Sequence, residues 1–496
     1  MNAPVDVSTG GPGGAGHLLA GLHAASRAAG AGIYLGGGPA GWTWAGPEHS
    51  TLVLGPSRAG KTSSLIVPNV LAAPGAVVST STKPDVLART APARRTTGWS
   101  LLYDPSGKVE APPGTERVGW SPVATAEEWT MALQVADAMV RTARGRRAGI
   151  AGTGDDHWTE RAVALLAPLL HAAALDGEPM ATVLRWVDRH DGSRALSVLE
   201  SRTGEGGSPT DVLAGILATD GREQSGIWST ASGVLAAYRH PDALASTEPP
   251  YLDADTFCAG SNTLYICATG QQQQLLAPLV VGMLGDVRDA AYRRARSPDG
   301  GRPAPVLLAL DEVANIAPIP DLPAIVSEGA GQGLLTLACL QDLSQARARW
   351  GREADALLSL FGTTVVFPGI VDMPTLEALS AIAGRAEVAT RTVGHSQGPA
   401  GRILPSVSTS TTLRHRLPVD VIARGRPGAA LVVDARNRMG WVGLTPSFAH
   451  EPWRSLAHGR ATDRDRRQEL GRSAAPARSV EGPAPPSGPP GRGRSR

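Results

Sequence analysis

The sequence predicts an α/β protein built on a central, mostly parallel sheet, with an all-α domain inserted between the two halves of that sheet. Three observations carry the prediction. Short apolar runs alternate with helical patterns near both ends of the chain, as in a parallel sheet covered on both faces. The string Gly55-Pro56-Ser57-Arg58-Ala59-Gly60-Lys61-Thr62 sits between a strand-like and a helix-like run. An apolar run ending in Asp311-Glu312 follows about 250 residues later, beyond a stretch with helical spacing only.

The first string reads G-x-x-x-x-G-K-T, the phosphate-binding loop of P-loop NTPases. Thr51–Leu54 before it suits a buried strand, and Ser63–Val67 after it can start a helix. Glycines let backbone N–H groups close around phosphate oxygens, and the helix N-terminus adds partial positive charge. Lysine is scarce: only Lys61, Lys83 and Lys108 occur among 47 basic residues. With that composition, a match by chance arises in on the order of one chain in a hundred. The candidate ATP-binding residues are Gly55, Pro56, Ser57, Arg58, Ala59, Gly60, Lys61, Thr62 and Ser63. Lys61 is expected to reach the outer phosphates, and the Thr62 hydroxyl to hold Mg²⁺.

Composition narrows the classes. At 496 residues with 42% hydrophobic and 4% aromatic content, the chain can bury a large aliphatic core. The predominance of arginine accompanies abundant Ala, Gly and Pro, so it is no nucleic-acid signature by itself. The net charge of +2 divides unevenly: residues 455–496 carry nine Arg and four acids, leaving −3 on the remainder. Contact with nucleic acid must therefore use local patches. Cys258, Cys267 and Cys339 are odd in number and form no C-x-x-C, which fits buried thiols in a reducing cytoplasm. The longest apolar runs, 162–170 and 275–284, fall well short of the ~20 residues that span a bilayer. No signal-peptide pattern opens the chain. The expectation is a soluble, cytoplasmic protein.

Taken in order, residues 1–32 are Gly/Ala-rich and expected to be flexible, with a short helix around 17–29. Residues 33–119 form the first part of the nucleotide-binding domain. They open with an aromatic hairpin at 33–50 and continue as strand 51–54, helix 61–72, strand 76–81, helix 84–91 and strand 100–103. Lys83 and Lys108 lie in loops after two of these strands, where ligands gather on parallel sheets; ordinary surface lysines are the equal alternative. Residues 120–245 read as the all-α insertion, with helices at 127–142, 158–175, 181–188, 193–201 and 225–238. Asp155, Asp156 and His157 begin its longest helix. Helix capping explains them better than a metal site, because no second ligand cluster follows.

Residues 246–454 form the second part of the nucleotide-binding domain. Strand 262–268 and helix 275–294 lead to Pro305–Glu312, a Walker B pattern. Asp311 is expected to hold Mg²⁺ through water, and Glu312 to polarise the attacking water. The next strand, 334–340, ends at Gln341, placed to sense the γ-phosphate or orient water. Later strands are read at 363–367, 430–433 and 441–444, with a mobile Ser/Thr/Gly-rich loop at 390–413. From 455 the Pro/Gly/Arg-rich tail buries too little apolar area to order itself.

Several strings resemble the TraG/TraD-type coupling proteins of conjugative type IV secretion. They include Gly55–Thr62 with Ser64-Leu65-Ile66-Val67-Pro68-Asn69, Thr82-Lys83-Pro84, Tyr103-Asp104-Pro105-Ser106-Gly107 and Trp158-Thr159-Glu160-Arg161-Ala162. Leu310–Leu322 and Leu340-Gln341-Asp342-Leu343-Ser344-Gln345 are the most particular. The resemblance covers roughly 33–450. It implies a RecA-like P-loop NTPase fold, similar to the FtsK and HerA motors, with ATP and Mg²⁺ as cofactors. It also implies a homo-hexameric ring that moves DNA, and partners among relaxase and type IV secretion channel proteins. By the same resemblance, residues 120–245 receive substrate.

Two departures stand out. Many members begin with transmembrane helices, and none is legible here, so membrane attachment is expected only through partners. Many members also place Arg or Lys shortly before the strand that ends in Gln. Here Ser327–Gly333 has no basic residue. Arg347, Arg349 and Arg352 are the candidate substitutes for an arginine finger. Two other readings stay open at this point: an ATPase of the same fold driving protein secretion or chromosome processing, and a slow nucleotide-gated adaptor.

Overall fold

A computed structural model describes residues 15–38, 41–144, 155–203, 208–268, 273–297, 303–397 and 403–458. Fourteen strands appear among them. They are β1 (Tyr34–Gly38), β2 (Gly41–Trp44), β3 (Thr51–Leu54), β4 (Val77–Ser81), β5 (Ser100–Tyr103), β6 (Glu116–Arg117) and β7 (Thr263–Cys267). The second half adds β8 (Val306–Leu310), β9 (Leu334–Leu340), β10 (Thr363–Val366), β11 (Arg385–Gln397), β12 (Ile403–His415), β13 (Ala429–Asp434) and β14 (Met439–Gly443).

Twelve strands form one sheet in the order β2-β1-β14-β13-β10-β3-β9-β8-β4-β7-β5-β6. From β10 to β6 every neighbouring pair is parallel; β13, β14, β1 and β2 extend the sheet antiparallel. The central strands are apolar throughout because both faces are covered. In β8, Val306, Leu308 and Leu310 join one core while Leu307 and Ala309 join the other. In β3, Leu52 and Leu54 face the first core and Val53 the second.

Every regular element described between β6 and β7 is a helix, including Trp129–Arg144, Asp155–Asp176 and Gly221–Val234. Ser208–Leu217 is a further helix that sequence periodicity left unassigned. His157 lies 3.5 Å from Glu223 Oε1, which also accepts bonds from Arg161 Nη2 and Nε at 2.8 and 3.0 Å. Among the described residues no cluster of His, Cys, Asp or Glu could hold a metal ion. All three cysteines are free and buried. Among the described residues no helix is long and apolar enough to cross a membrane.

The short helix expected around 17–29 is present as Ala15–Ala28 and buries Leu19, Leu22 and His23. Two expectations need correction. Of the segment 390–413, read as a mobile loop, 390–397 and 403–413 lie in β11 and β12, which pair over thirteen positions. Threonine and valine favour strands, and here β-branched residues outweigh the loop signal of serine and glycine. The tail boundary at 455 falls inside the helix Trp453–His458, which buries Trp453, Leu456 and Ala457. Residues 1–14 and 459–496 lie outside the described residues.

Candidate nucleotide site

The P-loop follows β3 and enters a widened π-helical turn, Thr62–Ile66, that continues as the helix Val67–Ala72. Gly55 passes close to the end of β10: a Cβ there would lie 2.6 Å from the Phe367 Cβ. Gly60 has φ +92° and Arg58 φ +64°, so the loop turns through left-handed backbone twice. Lys61 Nζ donates to Gly55 O at 2.5 Å and to Pro56 O at 3.0 Å. The ammonium is thus folded over its own loop, with carbonyls standing in for anionic oxygens. Ser63 Oγ donates to Gly60 O at 3.2 Å.

Sheet order brings the distant acids to this loop. β3 and β8 flank β9, and each strand delivers its residues at its carboxyl end. Thr62 Oγ1 donates to Asp311 Oδ2 at 2.7 Å, a contact across 249 residues. Asp311 is buried, and burial lifts its carboxyl to about 6; the bond from Thr62 opposes the shift and neighbouring Glu312 reinforces it. Lys61 opposes it too, less strongly. Glu312 has φ +53°, a left-handed conformation that costs a side-chain-bearing residue on the order of 1 kcal/mol or more. That bend starts the short helix Val313–Ile316 and leaves the Glu312 side chain half-buried in the cleft wall. Gln341, at the end of β9, donates through Nε2 to Ser57 Oγ at 3.2 Å.

A cleft of about 1140 Å³ runs over these groups. The loop from Ser57 to Ser63, Asp311, Glu312 and Gln341 all line it. Lys83 lines it as well, whereas Lys108 does not. The turn before Lys108 is structural: Asp104 accepts from Ser106 N at 3.0 Å, Ser106 Oγ at 2.5 Å and Val109 N at 2.7 Å. Sequence reasoning gave no role to Asp85 and Arg89, which also line the cleft, one turn apart on the helix Asp85–Arg94. Their four-residue spacing after a strand end was the available signal. It likewise missed Pro446, Phe448 and His450, which no local pattern connects to the P-loop.

The site suits a Mg²⁺–nucleotide. Asp311 is a buried carboxyl that ionises only at a cost unless a cation comes near, and its partner Thr62 is a second hard oxygen. Lys61 presents an ammonium to carbonyl oxygens where phosphate oxygens would serve better.

Of the arginines considered as finger substitutes, Arg347 pairs with Asp355 at 3.0 Å and approaches Asp372 at 3.8 Å. Arg349 donates to Thr142 O and Pro318 O, both at 3.2 Å. Arg352 is exposed.

Comparison with known proteins agrees with this picture. The sequence model of the family described as type IV secretory system conjugative DNA transfer matches residues 19–414. The conjugal transfer protein TraG of Escherichia coli is 26% identical over 396 residues, covering 73% of this chain. The match spans 59% of that relative's own length. Among solved structures, the unbound bacterial conjugative coupling protein TrwBdeltaN70 superposes with a TM-score of 0.61 at 19% identity, covering 80% of this chain and 85% of its own. The plasmid coupling protein TrwB in complex with ADP and Mg²⁺ gives 0.59 at 20% identity, covering 81% and 85%. At these identities the structures show a common fold, RecA-like α/β.

Proposed function

This chain belongs to the type IV secretory system conjugative DNA transfer family, and from that premise we propose that it is an ATP-hydrolysing coupling protein that moves DNA toward a secretion channel. The observation that carries the reading is the meeting of Thr62 and Asp311 at 2.7 Å, beside Glu312 and Gln341 on one cleft. Shared folds host many functions, and these side chains, more than the fold, support the reading.

The geometry supports the following roles. Backbone N–H groups of Gly55 to Thr62 cradle the β- and γ-phosphates, and Ser63 continues the cradle. Lys61 exchanges its bonds to Gly55 O and Pro56 O for phosphate oxygens. Thr62 and Asp311 would hold Mg²⁺, which when bound would neutralise charge on the phosphate oxygens. Glu312 accepts a proton from the water that attacks the γ-phosphorus, the bond from that phosphorus to the β,γ-bridging oxygen breaks and ADP leaves, and the proton then passes to solvent or to the released phosphate. Gln341, tied to Ser57, registers whether the γ-phosphate is present.

Around the site, residues 120–245 receive the substrate, and 33–119 and 246–454 form the motor. The working unit is a homo-hexamer whose partners are a relaxase bound to DNA and the proteins of the channel, and it meets the membrane through those partners.

The test is ATP turnover with and without single- and double-stranded DNA, beside Lys61→Ala and Glu312→Gln. Lys61→Ala should weaken nucleotide binding. Glu312→Gln should keep binding and lose turnover by 10²-fold or more. DNA affinity should fall steeply with added salt. Equal inactivity of all three proteins, with and without DNA, would refute the motor. Nucleotide binding without turnover would instead favour the gated adaptor.

A further inference from the structure

The P-loop and the two acids account for one end of the cleft. The other end is largely apolar, with His450 on the same turn, and has no role in the chemistry above. Leu444, Pro446 and Phe448 line it from the segment after β14, with Pro368 beyond β10 and Gly428 before β13. Sheet order separates the two ends: β10, β13 and β14 lie on one side of the P-loop strand, and β8 and β4, with Asp311, Glu312 and Asp85 at their ends, lie on the other. The segment after β14 also lies beyond the 19–414 span matched by the family.

Hydrogen bonds hold this segment in place. Leu444 N donates to Gly428 O at 2.8 Å, and the Tyr34 hydroxyl lies 2.7 Å from Thr445 Oγ1. Ser447 N donates to Ser63 O at 2.9 Å, which ties the segment to the phosphate cradle itself. Ala449 N and His450 N both donate back to Pro446 O, at 2.9 and 3.1 Å, closing a tight turn. Ser447 is fully buried beneath that turn, while Phe448 within it is half-buried. The chain has four phenylalanines. Phe257, Phe361 and Phe367 are at most 2% exposed. Phe448 alone stands outside the core, on a turn fastened to the P-loop.

We propose that this turn is the nucleobase end of the site, with Phe448 stacking on a purine ring above Leu444 and Pro446. The inference rests on the nucleotide reading above. A half-buried aromatic ring on a turn fixed by backbone hydrogen bonds is suited to stacking, because little side-chain freedom is lost on binding. The acids that line the cleft sit at the phosphate end. Among the described residues no carboxylate lines the apolar end to accept the N1–H and N2–H₂ of guanine, so stacking takes adenine and guanine alike. The expected ligand class is a purine nucleoside triphosphate, with little discrimination between the two bases.

The experiment is calorimetric binding of ATP, GTP and inorganic tripolyphosphate, each with Mg²⁺, to wild type, Phe448→Ala, Phe448→Trp and Lys61→Ala. Phe448→Ala should weaken ATP and GTP by about tenfold or more and leave tripolyphosphate unchanged, which also shows that the variant is folded. Phe448→Trp should bind both nucleotides at least as well as wild type. Lys61→Ala should weaken all three ligands. Undiminished ATP binding by Phe448→Ala, or a parallel loss of tripolyphosphate, would overturn the inference. So would wild type binding tripolyphosphate as tightly as ATP, which leaves the P-loop reading intact. A wild type that binds none of the three would refute the nucleotide reading and this inference with it.

Discussion

Arg94 is the residue whose removal should cost the fold most without touching the site. It ends the helix Asp85–Arg94 and is 0% exposed. Its Nε donates to Thr263 Oγ1 at 2.7 Å, and Nη1 to Ala73 O at 2.6 Å. Its Nη2 donates to Gly75 O at 2.9 Å, Ser261 O at 3.0 Å and Asn262 O at 3.3 Å. Burial lowers its pKa to about 10, so it remains a cation at neutral pH, held by carbonyl dipoles. Replacing it with methionine keeps much of the volume and removes every donor. Asn262 O keeps its bond from Val77 N at 2.9 Å, but the carbonyls of Ala73, Gly75 and Ser261 lose this donor. A buried acceptor left without a donor costs roughly 1–3 kcal/mol. Relief from burying a charge offsets part of the sum, which leaves a net loss of about 3–5 kcal/mol for Arg94→Met. Lysine lacks the planar fork that reaches carbonyls on two sides, so Arg94→Lys should lose about 2 kcal/mol or more. Urea denaturation reads both. These carbonyls flank the entry ends of β4 and β7, opposite the cleft at the strand exits, so ATP affinity of the folded variants should stay within about twofold. A loss below about 1 kcal/mol for Arg94→Met would refute the reasoning.

Two further predictions concern pH and the ring. His23 is buried, and burial followed by the nearby Arg94 charge lowers its pKa to about 4. The folded pKa is depressed, so this stability is present above about 6.5 and is lost as pH falls toward 4, about 3 kcal/mol in all. His23→Gln should lack that slope when denaturation midpoints are compared at pH 7.5 and 4.5; parallel curves would contradict it. Arg352→Ala should lower ATP turnover per site by 10-fold or more with KM unchanged if the exposed Arg352 reaches a neighbouring subunit's phosphates. Addition of the variant to wild type should then depress turnover of the mixture, and unchanged kinetics would remove Arg352 as the finger.

The legible parts of this protein are those specified by neighbours in sequence. The P-loop is one run of residues because a phosphate cradle is made of consecutive backbone N–H groups, and β8 announced itself as an apolar run stopped by two acids. The hairpin β11–β12 was misread because its threonines count as loop residues by composition and as strand residues by branching at Cβ. The helix Ser208–Leu217 was missed for want of a regular apolar stripe, since it takes its partners from the surrounding bundle.

By itself, then, the sequence determined the phosphate loop, the acids and the alternation of strands and helices, since each depends on residues a few positions apart. Only the tertiary structure decided which ends of which strands lie together. Placing β9 between β3 and β8 puts Thr62 on Asp311 and Gln341 on Ser57. The antiparallel return of β13 and β14 carries the Phe448 turn back to Ser63. Those meetings follow from strand pairing across hundreds of residues, where the energy of a long-range contact outweighs any local preference.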